Sequence, residues 1–139
     1  MLFQYPEFTL FYNSYQHMWE LMFHKEDEFQ ARMCTIILDL IEHHNLDAPM
    51  LIWREDNTSF SFAALRVMER RATRVIPAIA CISSNLSTRR ALEITFNVLI
   101  KHPRFNTFTT EDEARDWLIR ITRPQKSFIP SVQLHAPIA

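Results

Sequence analysis

Two periods of apolar residues alternate along this chain. Phe8 to Asn13 and His17 to Phe23 are rich in aromatic and aliphatic residues, and the polar link Asn13-Ser14-Tyr15-Gln16 between them predicts a β-hairpin. Lys25 to Asn45 switches to helical spacing. Phe29, Met33, Ile36, Ile37 and Leu40 share one face, with Glu26, Asp27 and Glu28 near the start and His43-His44 near the end. After Pro49, the run Met50-Leu51-Ile52-Trp53 suits a strand buried on both faces. A second helix is expected over roughly Phe60 to Arg74, with Ala64, Leu65, Met68 and Ala72 as its inner face.

Ile76 to Ile82 reads as the next buried strand, with Pro77 tolerated at its start. Ser87 or Thr88 can cap a third helix that runs to about His102, and Pro103 marks its end. Phe105 to Thr109 is a short last strand. The order β-β-α-β-α-β-α-β-α predicts an α/β fold: two layers, a mixed sheet of about five strands with an N-terminal hairpin and a parallel core, and about four helices. Residues 1–122 are expected to form one domain. The remainder, 123–139, is a different kind of chain. Pro124, Pro130 and Pro137 forbid regular helix, while Phe128, Ile129, Val132 and Leu134 are apolar, so this tail is expected to pack on its own chain or on a neighbour.

Composition narrows the function. At 139 residues the chain can bury roughly two-thirds of its unfolded surface without a disulfide or metal staple. A formal charge of -1 gives no argument for nucleic acid or an anionic membrane. The longest apolar run is far too short to span a bilayer, and Met1 to Phe11 has no basic region of the secretory type, so a cytoplasmic location is expected. The two cysteines, Cys34 and Cys81, fall in a helical and a strand pattern and read as small buried hydrophobes. There is no glycine, so no phosphate-cradling loop of the Walker or dinucleotide type exists. Turns must then use Asn13-Ser14, Asn45-Leu46-Asp47, Asp56-Asn57 and Ser83-Ser84-Asn85.

The most distinctive stretch is Phe108-Thr-Thr-Glu-Asp-Glu-Ala-Arg-Asp-Trp-Leu118. Thr110 stands as N-cap with Glu113 three residues on, the capping-box spacing, and Glu111, Asp112 and Glu113 suit the positive end of the helix dipole. Ala114, Trp117, Leu118 and Ile121 follow as one apolar stripe. With the element order, this segment resembles the SpoIIAA-like branch of the STAS domains, also called the STAS/SEC14 type, through Phe108, Thr110, Glu111, Glu113, Ala114, Trp117 and Leu118. The resemblance implies a SpoIIAA-like fold and a non-enzymatic regulatory role, by protein binding or by binding a small ligand. In the family's anti-sigma-factor antagonists, the loop after the central strand carries an Asp-x-Ser-x-x-Asp-Ser-x-Gly motif with a phosphorylated serine. The matching loop here, Asp56-Asn57-Thr58-Ser59-Phe60-Ser61-Phe62, has hydroxyls but lacks the second Asp-Ser pair and the glycine.

Three regions are candidates for contact. Asp56, Thr58, Ser59 and Ser61 form a switch or partner loop, although one of its hydroxyls is needed to cap the helix that follows. Arg66, Arg70 and Arg74, spaced by four, form a docking ridge for an acidic surface or phosphate, or else an ordinary solvated face, with Arg89 and Arg90 as its extension. The third helix is apolar nearly all round, and its Ile94 and Val98 are candidates for a homodimer surface. No nucleophile–base set, metal-ligand spacing or cofactor motif is present. His17, His24, His43, His44, His102 and His135 read as helix-terminal and surface groups. The expected function is a dimeric regulatory or protein-interaction module. A carrier or sensor of a small apolar, lipid-like ligand is the alternative. A hydrolase-type enzyme using Glu55, Asp56 and a histidine is a weaker one.

Overall fold

The computed structural model describes residues 1–24, 28–53 and 59–123. The expected helix start at Lys25, Glu26 and Asp27, the carboxylates Glu55 and Asp56, Thr58, and the tail after Arg123 lie outside the described residues. The chain runs β1 (Leu2–Gln4), β2 (Phe8–Asn13), β3 (Met18–Phe23), β4 (Glu28–Phe29), α1 (Ala31–His44), β5 (Met50–Trp53) and β6 (Ser59–Phe60). It continues through α2 (Phe62–Val75), β7 (Ile79–Ile82), α3 (Leu86–Ile94), a π-helical turn (Thr95–Leu99), β8 (Phe105–Phe108) and α4 (Glu111–Thr122).

Six strands form a mixed sheet in the order β1-β2-β3-β5-β7-β8. β1, β2 and β3 are antiparallel to their neighbours, while β3, β5, β7 and β8 run parallel. Each parallel step moves the same way across the sheet, so right-handed crossovers place α1, α2 and α3 on one face. The packing agrees. Trp19, Leu21, Met50, Ile52, Ile79 and Cys81 are buried with Ile37, Met68 and Leu92 of those helices. The alternate residues Met18, Leu51 and Ala80 face the other way and pack against Ala114 and Leu118 of α4.

The structure revises several boundaries. The sheet has six strands, because β1 adds an edge that the sequence pattern did not reveal. The first helix begins at Ala31; Glu28–Phe29 instead pairs in parallel with Ser59–Phe60, so the second helix also begins later, at Phe62. β7 is confined to Ile79–Ile82. The third helix is capped by Asn85, whose Oδ1 accepts the Thr88 N–H at 3.0 Å, and not by Ser87 or Thr88. It also does not run regularly to His102. At Thr95 the ladder widens, and Ile100 N–H donates to Thr95 O, five residues back, at 2.8 Å. The wider turn brings residues four apart closer to one line, so Leu92, Phe96 and Ile100 all point inward. Phe96 stacks on Phe105 with centroids 4.3 Å apart and meets Phe60 edge-on at 5.9 Å.

Asparagine, aspartate and serine do much of the work that glycine would do. Asn13 Oδ1 accepts the N–H groups of Tyr15 and Gln16 at 3.0 and 3.1 Å and closes the hairpin. Asn45 and Asp47 take positive φ of 47° and 52° after α1, values their short polar side chains tolerate. Ser83 Oγ accepts the Asn85 N–H at 3.3 Å. His17 and Lys101 also adopt left-handed conformations, with φ of 55° and 62°, at turns that composition alone did not single out.

Candidate functional site

The helix α2 carries the arginine ridge, and Ser61 of the candidate switch region stands at its start. Ser61 is its N-cap: the hydroxyl accepts the Ala64 N–H at 3.0 Å, and the Ser61 N–H donates to Phe29 O at 3.0 Å. Ser61 thus holds the helix start through its hydroxyl and ties it to β4 through its backbone N–H. Ser59 is exposed on β6, opposite Glu28. Arg66, Arg70 and Arg74 are all exposed along about 12 Å of helix and form no ion pair among the described residues. Arg66 lies over the exposed Phe62 ring, 5.9 Å from its centroid. Arg74 lines a polar cleft of about 130 Å³ with Glu42, Asn45 and Asp47. Arg71 leaves the ridge: it turns to α1 and bonds Asp39 and Glu42, each at 2.8 Å.

The third region is α3 with its π-helical turn. The side chains that the widened turn does not direct inward stay in water: Ile94 is 57% exposed, Val98 60% and Leu99 47%. The segment is nevertheless well fixed. Glu93 Oε2 accepts the Thr107 hydroxyl of β8 at 2.9 Å, and Lys101 Nζ reaches Glu69 of α2 at 3.3 Å. At its end the buried His102 donates from Nε2 to Ile76 O at 2.7 Å and accepts the Arg104 N–H on Nδ1 at 3.1 Å. Both ring nitrogens are satisfied only in the neutral form. Burial lowers the His102 pKa from its ordinary 6.5, against a smaller upward pull from the Ile76 carbonyl. β8 beside it is an edge strand with no partner on its outer side among the described residues.

A charged cluster that the sequence pattern did not reveal lies on the other face. Arg115 of α4 forks onto Glu20 of β3 through Nη1 at 2.7 Å and Nη2 at 3.0 Å, and its Nε donates to Glu111 at 2.6 Å. Gln16 accepts from Nη1 at 2.7 Å, and Asn13 Nδ2 donates to Glu20 at 2.9 Å. Both charged side chains are only 13% exposed. Burial alone would push the Glu20 carboxyl up. Hydrogen bonds from Arg115 and Asn13, together with the Arg115 charge, outweigh it and hold the group below its ordinary 4.5. Trp53 sits close enough to favour the carboxylate, yet its buried Nε1 makes no hydrogen bond among the described residues. Every bond of the pair is internal, so the cluster reads as a tie between α4 and the hairpin.

An apolar void of about 20 Å³, room for one water, lies among Phe29, Cys34, Met50, Phe60 and Met68. Burial raises the Cys34 thiol to about 12, far from a reactive thiolate. Among the described residues no cluster of three or more His, Cys, Asp or Glu could hold a metal ion, and no helix is long and apolar enough to cross a membrane. No family model, curated protein or solved structure matches this chain.

Proposed function

We propose that this chain is a non-enzymatic regulatory module of the SpoIIAA-like STAS type that self-associates through α3 and its π-helical turn. The observation that carries the reading is the exposed trio Ile94, Val98 and Leu99, on a segment that Glu93 ties to β8 and His102 ties to Ile76. The order of elements and the capped helix after Phe108 support the family resemblance. The exposed arginines Arg66, Arg70 and Arg74 of α2 supply a second surface, suited to an acidic protein partner.

Magnitudes limit the strength of the contact. Burying a half-exposed aliphatic side chain gives on the order of 1 kcal/mol, so six in a twofold pair give about 6 kcal/mol. Association costs at least about 4 kcal/mol before any side-chain ordering. The trio alone therefore makes a weak dimer, and the contact extends onto the open edge of β8, where unpaired backbone groups can join two sheets. Sedimentation velocity over roughly 1 to 100 μM tests this. The wild type is expected to gain mass with concentration, and Val98→Glu to stay monomeric with its stability changed by less than about 0.5 kcal/mol. A wild type that remains monomeric, or a Val98→Glu protein that dimerises equally well, contradicts the reading. Among the described residues, the apolar void of about 20 Å³ gives no support to a carrier of an apolar ligand.

A further inference from the structure

Where α1 and α2 end, a cleft of about 130 Å³ opens between them. Ile41 of α1 and Val75 of α2 supply its apolar part, and Glu42, Asn45, Asp47 and Arg74 its polar part. It has room for several waters. It is smaller than the roughly 300 Å³ at which sites for drug-sized molecules begin. Three of these polar side chains are uncommitted: Asn45, Asp47 and Arg74 make no side-chain hydrogen bond or ion pair among the described residues. The fourth is set in place. Glu42 Oε1 accepts from Arg71 Nη2 at 2.8 Å, which leaves Oε2 open. Unlike charges thus line one small space without pairing, a gap that a molecule bearing both charges would close.

The backbone adds its own sign. Both helices end at the cleft, and the unpaired carbonyls of a helix C-terminus carry partial negative charge. Two C-termini and two carboxylates stand against one guanidinium. That field repels a free phosphate or carboxylate, while a simple cation is opposed by Arg74. Among the described residues no cluster of three or more His, Cys, Asp or Glu is present to hold a metal ion. We propose that the cleft binds a small zwitterion, a free α-amino acid. Its carboxylate pairs with the Arg74 guanidinium, and Asp47 and Glu42 Oε2 accept from its ammonium. The Asn45 amide, a donor and an acceptor, serves either end. The ligand's side chain lies toward Ile41 and Val75. A molecule of so few atoms in a cleft open to water binds with a Kd of roughly 0.1 to 10 mM. The site uses no residue of α3 or β8, so this assignment is independent of the proposed self-association.

Amide NMR of the full chain tests it. Glycine, L-alanine, L-serine, L-leucine, L-glutamate and L-lysine are each titrated to about 50 mM at constant ionic strength. Acetate and methylammonium serve as probes that carry one charge only. At least one amino acid is expected to shift the amides of residues 41–47 and 74–75 saturably, with both single-charge probes weaker by about tenfold or more. Arg74→Gln and Asp47→Asn change exposed residues and leave no buried group unpaired. Each is expected to weaken the binding by about tenfold, while unchanged amides in β3 and β5 report an intact fold. No saturable shift with any of the six amino acids makes the cleft a hydration site only and overturns the proposal. Acetate binding as well as the amino acid marks an anion site, methylammonium binding as well marks a cation site, and either overturns it. So does an affinity that neither variant moves.

Discussion

α3 and α4 begin alike and end differently. Each follows a parallel strand, and each is capped by a short polar side chain: Asn85 accepts the Thr88 N–H at 3.0 Å and Thr110 the Glu113 N–H at 3.3 Å. Glu113 also accepts the Thr110 hydroxyl at 2.8 Å, so the capping pair closes through the side chains. From there α4 commits its surface inward. Ala114 and Leu118 are fully buried, Trp117 packs on Phe108, and Arg115 locks to Glu20. α3 buries Leu92, widens into the π-helical turn, and leaves three large apolar side chains in water. The segment with the strongest local signature is thus the one whose bonds are all internal. Function is better sought where a well-fixed segment keeps large apolar side chains exposed among the described residues.

The largest effect is expected on the α4 side. Arg115→Ala leaves the Glu20 carboxylate in a mostly buried site without its cation. The cost is about 3 kcal/mol, the low end for a broken buried pair because both groups keep some contact with water. Urea unfolding measures it. A loss within about 0.5 kcal/mol would make the pair an ordinary surface contact. The same variant should leave self-association intact at concentrations where the protein stays folded, since Arg115 lies on the opposite face.

pH separates the two regions more gently. The His102 pKa is depressed in the folded protein, so the unfolded chain binds the extra proton first as pH falls. The stability that His102 contributes is complete above about 6.5 and declines below it, by no more than about 1.4 kcal/mol per pH unit. Glu20 follows the same sign in a lower window: its contribution is present above about 4.5 and is lost as pH falls through its depressed folded value. Between those windows the π-helical turn should exchange its amides faster while α4 keeps its protection. Equal loss of protection in both segments, or no change from pH 7 to 5, would show that His102 does not anchor the turn.

What could be read from the sequence was local. Thr110 and Glu113 are three residues apart, and Ala64, Met68 and Ala72 repeat every four, so the cap of α4 and the inner face of α2 follow from spacing. The exposed apolar positions Ile94 and Val98 were legible for the same reason: a helix with almost no polar face cannot bury all of it. What failed to show depends on partners distant in sequence. β4 and β6 are two residues each and pair only because the fold aligns Phe29 with Phe60. The π-helical turn follows the seating of Phe96 between Phe60 and Phe105, which no periodicity reports. Arg115 lies in a run of charged residues and looks solvated until Glu20, 95 residues earlier, is folded beneath it. Choosing among the hydroxyls near α2 also needed the structure, which gives the cap to Ser61 and leaves Ser59 exposed.

Dilution followed by backbone amide NMR tests the proposed self-association most directly. As wild-type protein is diluted through its dimer range, signals from residues 91–100 and from β8 are expected to shift together, those of α4 and the β2–β3 hairpin to stay fixed, and Val98→Glu to abolish the shifts. Concentration-dependent shifts centred on α4 or the hairpin, or none at all in the wild type, would contradict it.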